Sequence, residues 1–261
     1  LDHTNILGTT LPEIAMEKAG IIKNKIPVVI GETHAETKHV FLNKAKETGS
    51  ELLFADQQLH IEDFQREREK LRLSVSAKGQ DLFEDLDLDL TGSYQLKNIL
   101  TVLQSVLTMR KLGYQIADSS LRVALANVKP LTGLQGRWQT LSTDPLVICD
   151  TGHNVAGMTE VIQNISAMAY EQLHIVIGMV KDKDISGVLA LLPPDAKYYF
   201  CQPDLERAMN AEDLARAASA YDLHGKVYKN VVDALDAAKN TAGKTDLIFV
   251  GGSTFVVAEV L

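Results

Sequence analysis

The chain has little of what marks several protein classes. Its 261 residues include only two cysteines, Cys149 and Cys201, and these lack the spacing of a zinc site or a redox pair. Both lie in apolar runs that read as central strands, so they are expected to be buried, reduced and structural, as in a reducing compartment. No basic tract is present and the formal net charge is -8, which argues against a general nucleic-acid binder. An acidic protein can still hold a polyanion if a few basic groups and helix N-termini do so locally. No apolar stretch approaches the roughly 20 residues needed to span a bilayer, so no membrane partner is expected. The Gly-x-Gly-x-x-Gly dinucleotide fingerprint is missing, and so is the Gly-x-x-x-x-Gly-Lys-[Ser/Thr] phosphate loop. The chain opens on Leu1-Asp2-His3 rather than Met, inside what reads as a motif, so it is expected to be a piece of a longer polypeptide.

What is present suits one large or two ordinary domains, with 46% hydrophobic residues. From Pro130, a proline followed by Gly133 and Gly136 interrupts the periodic pattern, which sets a domain boundary there. Beyond it, apolar strand-like runs at 146–149, 174–179, 197–201, 226–229 and 246–250 alternate with helical patterns, one at 155–169 and the clearest at 211–221 and 231–242. Such alternation implies right-handed crossovers and a mostly parallel sheet with helices on both faces. Residues 134–261 are therefore expected to form a Rossmann-like α/β domain. The first 133 residues are less regular. Strands are expected at 26–31 and 51–55, helices at 36–47 and 119–128, and two period-two strands at 71–76 and 86–90. Residues 94–112 read as a long amphipathic helix with Leu96, Ile99, Leu100, Leu103, Val106 and Leu107 on one face. The acidic run from Glu84 to Asp89 alternates with leucines, the pattern of a solvated strand face rather than a metal site.

Four segments carry candidate chemistry. The sequence Val147-Ile-Cys-Asp-Thr-Gly-His-Asn154 reads as a strand, a turn and the start of a helix. In an open parallel sheet, ligands collect at the carboxyl ends of strands, where Asp150, His153 and Asn154 would be displayed. The same residues could simply cap the following helix. Leu1-Asp-His-Thr-Asn-Ile-Leu-Gly8 could supply a metal ligand through His3, or cap a helix. Glu17-Lys-Ala-Gly-Ile21 closes a short helix beginning near Leu11, and by periodicity Lys18 is an ordinary residue of a last helical turn before a glycine. Gly136-Arg137-Trp138 lies at the boundary. Arginine suits a planar, bidentate grip on phosphate, although a solvated linker arginine fits as well.

In order and spacing, these segments together with Gly136-Arg-Trp-Gln139, Val176-Ile-Gly-Met-Val-Lys-Asp-Lys-Asp184 and Phe249-Val-Gly-Gly-Ser-Thr-Phe255 resemble the folylpolyglutamate synthase and dihydrofolate synthase family of the Mur ligase superfamily. The resemblance covers nearly the whole chain. It implies a cytoplasmic, monomeric, ATP- and Mg2+-dependent amide ligase that joins L-glutamate to a folate or dihydropteroate through an acyl phosphate. It also implies that residues 1–133 are the later part of a central ATPase domain and residues 134–261 the Rossmann-like C-terminal domain. Residue by residue, His3 matches a magnesium ligand and Lys18 a lysine that becomes carbamylated. Asn98 and Arg137 match ATP-contacting residues, the arginine on the phosphates, and Asp150 an acid on the ribose. His153 and Ser253 match residues near the incoming glutamate. Departures are Tyr94 where the family usually has His, Gly152 for a usual Ala and Val155 for a usual Pro. The phosphate loop would lie upstream of Leu1, so the chain alone is expected to be inactive. The rival readings are another Mur-type amino-acid ligase and a non-catalytic fold fragment.

Overall fold

The computed structural model describes Gly8 and residues 10–261. The chain divides into two units, Leu1–Gly133 and Leu134–Leu261. The first described element of the first unit is α1 (Leu11–Ala19). Thr10 and Glu13 form a reciprocal capping box: the Glu13 amide donates to Thr10 Oγ1 at 3.3 Å, and the Thr10 amide donates to Glu13 Oε2 at 3.0 Å. Strand β1 (Val28–Ile30), helix α2 (Ala35–Thr48) and strand β2 (Leu52–Phe54) follow, with β1 and β2 paired in parallel. After a short helix α3 (Ala55–Gln58) comes an antiparallel sheet of β3 (Leu59–Arg66), β4 (Leu71–Ala77) and β5 (Gln80–Leu88). Helices α4 (Gln95–Lys111), α5 (Asp118–Ala126) and α6 (Val128–Thr132) complete the unit. Leu71, Leu73, Val75, Leu86 and Leu88 from the sheet pack on Ile99 and Leu103 of α4 and Leu121 and Leu125 of α5.

The acidic run behaves as its alternation implies. Phe83, Leu86 and Leu88 are buried while Glu84 and Asp85 face out. Arg72 and Lys70 bind Asp87, and the Arg72 hydrogen bond does most to hold its carboxyl at about 2. Pro130 lies inside α6, and the break comes at Gly133, in left-handed conformation at φ 69°.

The second unit runs β6 (Gln139–Thr143), β7 (Leu146–Cys149), α7 (Val155–Ser166), β8 (Leu173–Ile177), α8 (Ile185–Leu189), β9 (Lys197–Phe200), α9 (Ala211–Ser219), β10 (Gly225–Val227), α10 (Val231–Thr241), β11 (Leu247–Gly251) and α11 (Thr254–Ala258). The strand order is β10-β9-β8-β11-β7-β6, parallel except for the antiparallel edge strand β6. This is the mostly parallel α/β sheet that the alternation predicts. Successive strand residues point to opposite faces. Ile148, Ile175, Ile177, Phe200 and Phe249 pack on one side with Met158, Val161 and Ile165 of α7 and Leu214 of α9. Val147, Cys149, Val176, Ile248 and Val250 pack on the other with Val231, Ala234 and Leu235 of α10 and Val256 and Val257 of α11. Both cysteines are buried and free; Cys149 ends β7 and Cys201 follows β9 directly.

This topology makes a crevice. Neighbouring strands β7 and β11 send their following helices to opposite faces, α7 to one and α11 to the other. The chain therefore parts at the carboxyl ends of these two strands, where ligands of such sheets bind. Among the described residues no helix is long and apolar enough to cross a membrane.

Candidate active site

Asp150 sits one residue beyond β7 and is buried, with 3% of its surface exposed. Its backbone amide continues the ladder to the Val250 carbonyl of β11 at 3.2 Å. Its carboxylate faces the chain that leads into β6: Oδ2 accepts from the Trp138 amide at 2.7 Å and Oδ1 from the Gly152 amide at 2.8 Å. The Thr151 amide donates to the Gly136 carbonyl at 3.0 Å. Arg137 Nη1 donates to Thr151 Oγ1 and, at 3.5 Å, to the Gly136 carbonyl. The arginine that the sequence offers as a linker or a phosphate ligand is thus drawn onto the end of β7, half-buried.

The segment carrying Arg137 is conformationally unusual on both sides. Gly136 has φ 70°, and a Cβ there would come within 2.8 Å of Thr151 Cγ2 and 2.9 Å of Val257 Cγ1. Only glycine fits. Trp138 has φ 47°, a region that a bulky side chain enters at a cost of about 1–3 kcal/mol. Its indole is buried and stacks on Phe249 with centroids 6.5 Å apart, which helps offset that cost.

His153 lies half-buried two residues before α7, and its Nδ1 is 3.0 Å from the Thr151 carbonyl. A carbonyl only accepts, so Nδ1 carries a proton, and in the neutral ring Nε2 is the acceptor nitrogen. Asn154 caps α7, its Oδ1 accepting from the Gly157 amide at 2.8 Å, so the capping role open to this turn is filled by Asn154 rather than by Asp150. Ser253 follows β11, is buried, and accepts from the Phe255 amide at 3.2 Å as the cap of α11. It comes two residues after Gly251, where an added Cβ would lie 2.9 Å from the Asp150 carbonyl.

The structure therefore brings Arg137, Asp150 and His153 into one hydrogen-bonded loop cluster, with Ser253 after the adjacent strand. Cys149, directly before Asp150, is no nucleophile in this setting: burial, and then the neighbouring Asp150 charge, push its thiol up to about 12. Asn98 and Lys18 belong to the first unit. Asn98 is exposed in the first turn of α4 and donates through Nδ2 to Gln95 Oε1 at 3.0 Å. Lys18 is exposed in the last turn of α1, where the Gly20 amide closes on the Glu17 and Lys18 carbonyls. His3 lies outside the described residues. Among the described residues no three His, Cys, Asp or Glu side chains converge as a cation site. Sequence reasoning gave no role to Thr151 or Trp138, the two residues that hold Arg137. No local pattern announces a tryptophan at positive φ; the only hint is the glycine two residues before it.

Comparison with known proteins agrees with this architecture. Residues 136–254 match the family model described as Mur ligase, glutamate ligase domain. The chain is 30% identical to the dihydrofolate synthase/folylpolyglutamate synthase of Escherichia coli over 269 residues, covering 100% of this chain and 57% of that protein. It superimposes on the E. coli FolC structure in complex with DHPP and ADP with a TM-score of 0.83 at 28% identity, and on the Mycobacterium tuberculosis folylpolyglutamate synthase complexed with ADP and AMPPCP with a TM-score of 0.85 at 26% identity. Each match covers all of this chain, and 58% and 60% of the respective structures. The chain thus spans less than two thirds of the length of these relatives.

Proposed function

Because the chain belongs to the folylpolyglutamate synthase/dihydrofolate synthase family of the Mur ligase superfamily, we propose that it is part of an ATP-dependent ligase that adds L-glutamate to a folate or to dihydropteroate. The γ-phosphoryl group of ATP passes to a substrate carboxylate, giving an acyl phosphate and ADP. The glutamate amine, once it has lost a proton, attacks the acyl carbon; the new amide bond forms and phosphate leaves. Residues 1–133 are read as the later part of the ATPase domain and 134–261 as the glutamate ligase domain, acting as a cytoplasmic monomer.

The single observation that supports this reading most is the loop cluster at the carboxyl end of β7. It places a guanidinium, suited to phosphate, beside an imidazole whose Nδ1 is committed to Thr151. Arg137 would neutralise phosphate charge. His153, with Nε2 as acceptor, would receive the proton from the glutamate ammonium or orient that group. Ser253 would bound the glutamate site from the next strand. Asn98 would contact ATP from the ATPase domain. A divalent cation such as Mg2+ would offset charge on the transferring phosphoryl group. The described residues do not by themselves form a site for it, and His3 and a carbamylated Lys18 are the groups this chain would contribute.

The test is phosphate release by the protein at its natural length, with ATP, L-glutamate and either a folate or dihydropteroate. Release that needs all three supports the reading. Release with a UDP-muramoyl substrate instead would assign the protein to another group of Mur ligases. The 261-residue chain by itself holds no phosphate-cradling loop and is read as inactive alone.

A further inference from the structure

We propose that the cleft between the edge strand β10 and the end of helix α10 is a binding site for a small phosphate monoester, separate from the loop cluster at the end of β7. The register of the sheet builds it. Lys226 lies opposite Tyr199 in the parallel pairing of β10 with β9. Alternate strand residues share a face, so Lys197 and Tyr199 of β9 stand on the same face as His224, Lys226 and Tyr228, in and beside β10. Helix α10 packs over β8, β9 and β11 on that face. Its last residue, Thr241, closes the far side of a cleft of about 230 Å³ that all five residues line.

The cleft has one rigid wall and one charged rim. Tyr199 is buried and stacks on Tyr228 with centroids 5.9 Å apart. The Tyr199 hydroxyl is 2.9 Å from His174 Nδ1, and His174 Nε2 is 3.2 Å from Asp246 Oδ2, so a buried chain of hydrogen bonds fixes this wall. The rim carries one sign of charge. The chain has 34 acidic residues against 26 lysines and arginines, yet Lys197, Lys226 and His224 line the cleft and no Asp or Glu does. Among the described residues neither lysine forms an ion pair, and neither the His224 ring nor the Tyr228 hydroxyl forms a hydrogen bond.

The chemistry of these groups selects the ligand. Donors approaching from several sides each need an acceptor turned toward them. A phosphate monoester presents three acceptor oxygens and close to two negative charges, whereas a carboxylate presents two oxygens in one plane. Lysine serves phosphate as a point charge. Size sets the rest. The cleft is smaller than the roughly 300 Å³ at which pockets for drug-sized ligands begin, which admits a short carbon group on the phosphate and leaves out a nucleotide. The site lies toward the amino ends of the strands, with β8 and β11 between β9 and β7, so it does not depend on the ligase reading.

The test titrates methyl phosphate into the 261-residue chain at fixed ionic strength and pH 7.5, and follows the backbone amide signals by NMR. Saturable shifts are expected at residues 197–199 and 224–228. Lys197→Gln and Lys226→Gln should each weaken binding by about two- to fivefold, the scale of partly exposed charge pairs, and the double variant by more than either. Both lysines are exposed, so these variants should fold. Tyr228→Phe, which keeps the ring and loses the hydroxyl, should weaken binding as well. Arg137→Ala should leave it unchanged. Shifts that do not saturate, shifts confined to 136–154, or an unchanged affinity in the double lysine variant would overturn the site. Malonate, also a small dianion, should bind more weakly than methyl phosphate; equal or tighter binding of malonate would overturn the assignment to phosphate.

Discussion

His174 and Asp246 meet through a 3.2 Å hydrogen bond where β8 and β11 begin, at the end of the sheet opposite Asp150, and the other ring nitrogen of His174 is 2.9 Å from the Tyr199 hydroxyl. A carboxylate only accepts, so Nε2 carries the proton and the neutral ring takes the Tyr199 hydroxyl on Nδ1. Both bonds are thus satisfied without a charge on the ring. Burial is the larger influence and depresses the His174 pKa, Lys197 adds to the depression, and Asp246 opposes it. The Asp246 carboxyl is also held low, first by the Gly243 amide and then by His174.

This arrangement sets a pH dependence of stability. A group whose pKa is lower when folded binds fewer protons in the native state than in the unfolded chain, so stability rises with pH across the window between the two values. The His174 contribution is fully present above the unfolded histidine value of about 6.5 and is lost as pH falls through its folded value. Asp246 and Asp87 add a loss below about 4, near the unfolded aspartate value. Urea midpoints of the wild type should therefore fall from pH 7.5 to 5. In His174→Leu the midpoint should be lower throughout, because Asp246 and Tyr199 lose a partner, but flatter over that range. An equally steep decline in the variant would mean that His174 is not the titrating group.

Two glycines at similar positive φ should respond differently to alanine. Gly136→Ala meets both Thr151 and Val257 at under 3.0 Å, whereas Gly133→Ala meets nothing within 4 Å. Gly133→Ala should cost only the left-handed backbone, about 1–2 kcal/mol. Gly136→Ala should cost that and a further penalty of about 1–3 kcal/mol for overpacking. Equal costs in chemical denaturation would show that the 136–138 loop relaxes easily.

Arg137→Ala should lower ATP turnover at natural length by one to two decades, in line with roughly 1.5–3 kcal/mol for a lost charge-assisted hydrogen bond. Among the described residues its half-buried side chain is hydrogen-bonded to Thr151 and Gly136, so the unfolding midpoint should barely move. Unchanged ATP kinetics would return Arg137 to the role of a linker residue.

Lys18→Ala should lower ligase activity at natural length, with partial rescue by added short carboxylates, if a carbamate on Lys18 serves the metal site. Full activity without rescue would leave Lys18 as the helix-end residue that its place in α1 equally suits.

Cys149 and Cys201 should be silent to thiol reagents in the native state. Burial is the first cause raising both thiols to about 12, which leaves almost no thiolate at neutral pH, and neither side chain is accessible. An aromatic disulfide reagent should titrate both only after denaturation. Rapid native labelling of either would contradict the packing of β7 or the segment after β9.

The amino-acid sequence by itself determined the parts of this protein in which each residue's neighbours along the chain say where it points. Apolar runs punctuated by amphipathic helices specify a parallel sheet covered on both sides, and the alternation from Asp85 to Leu88 specifies one wet and one dry face. Strands that bury little escaped that logic. β3 has one buried residue, Leu59, and a bulge between Ile61 and Asp63; β6, Gln139–Thr143, is a polar edge strand. Their partners, rather than their own composition, make them strands. The motif residues Arg137, Asp150 and His153 were legible as types suited to phosphate and proton chemistry. What only the tertiary structure decided is how they are coupled. The Asp150 carboxylate accepts from the amides of Trp138 and Gly152, and Trp138 holds a backbone conformation that its own side chain disfavours. Phe249 and Asp150, which lie on other strands and their ends, converge on that residue and offset the cost. Local preference opposes that conformation, so no reading of local preference could have found it.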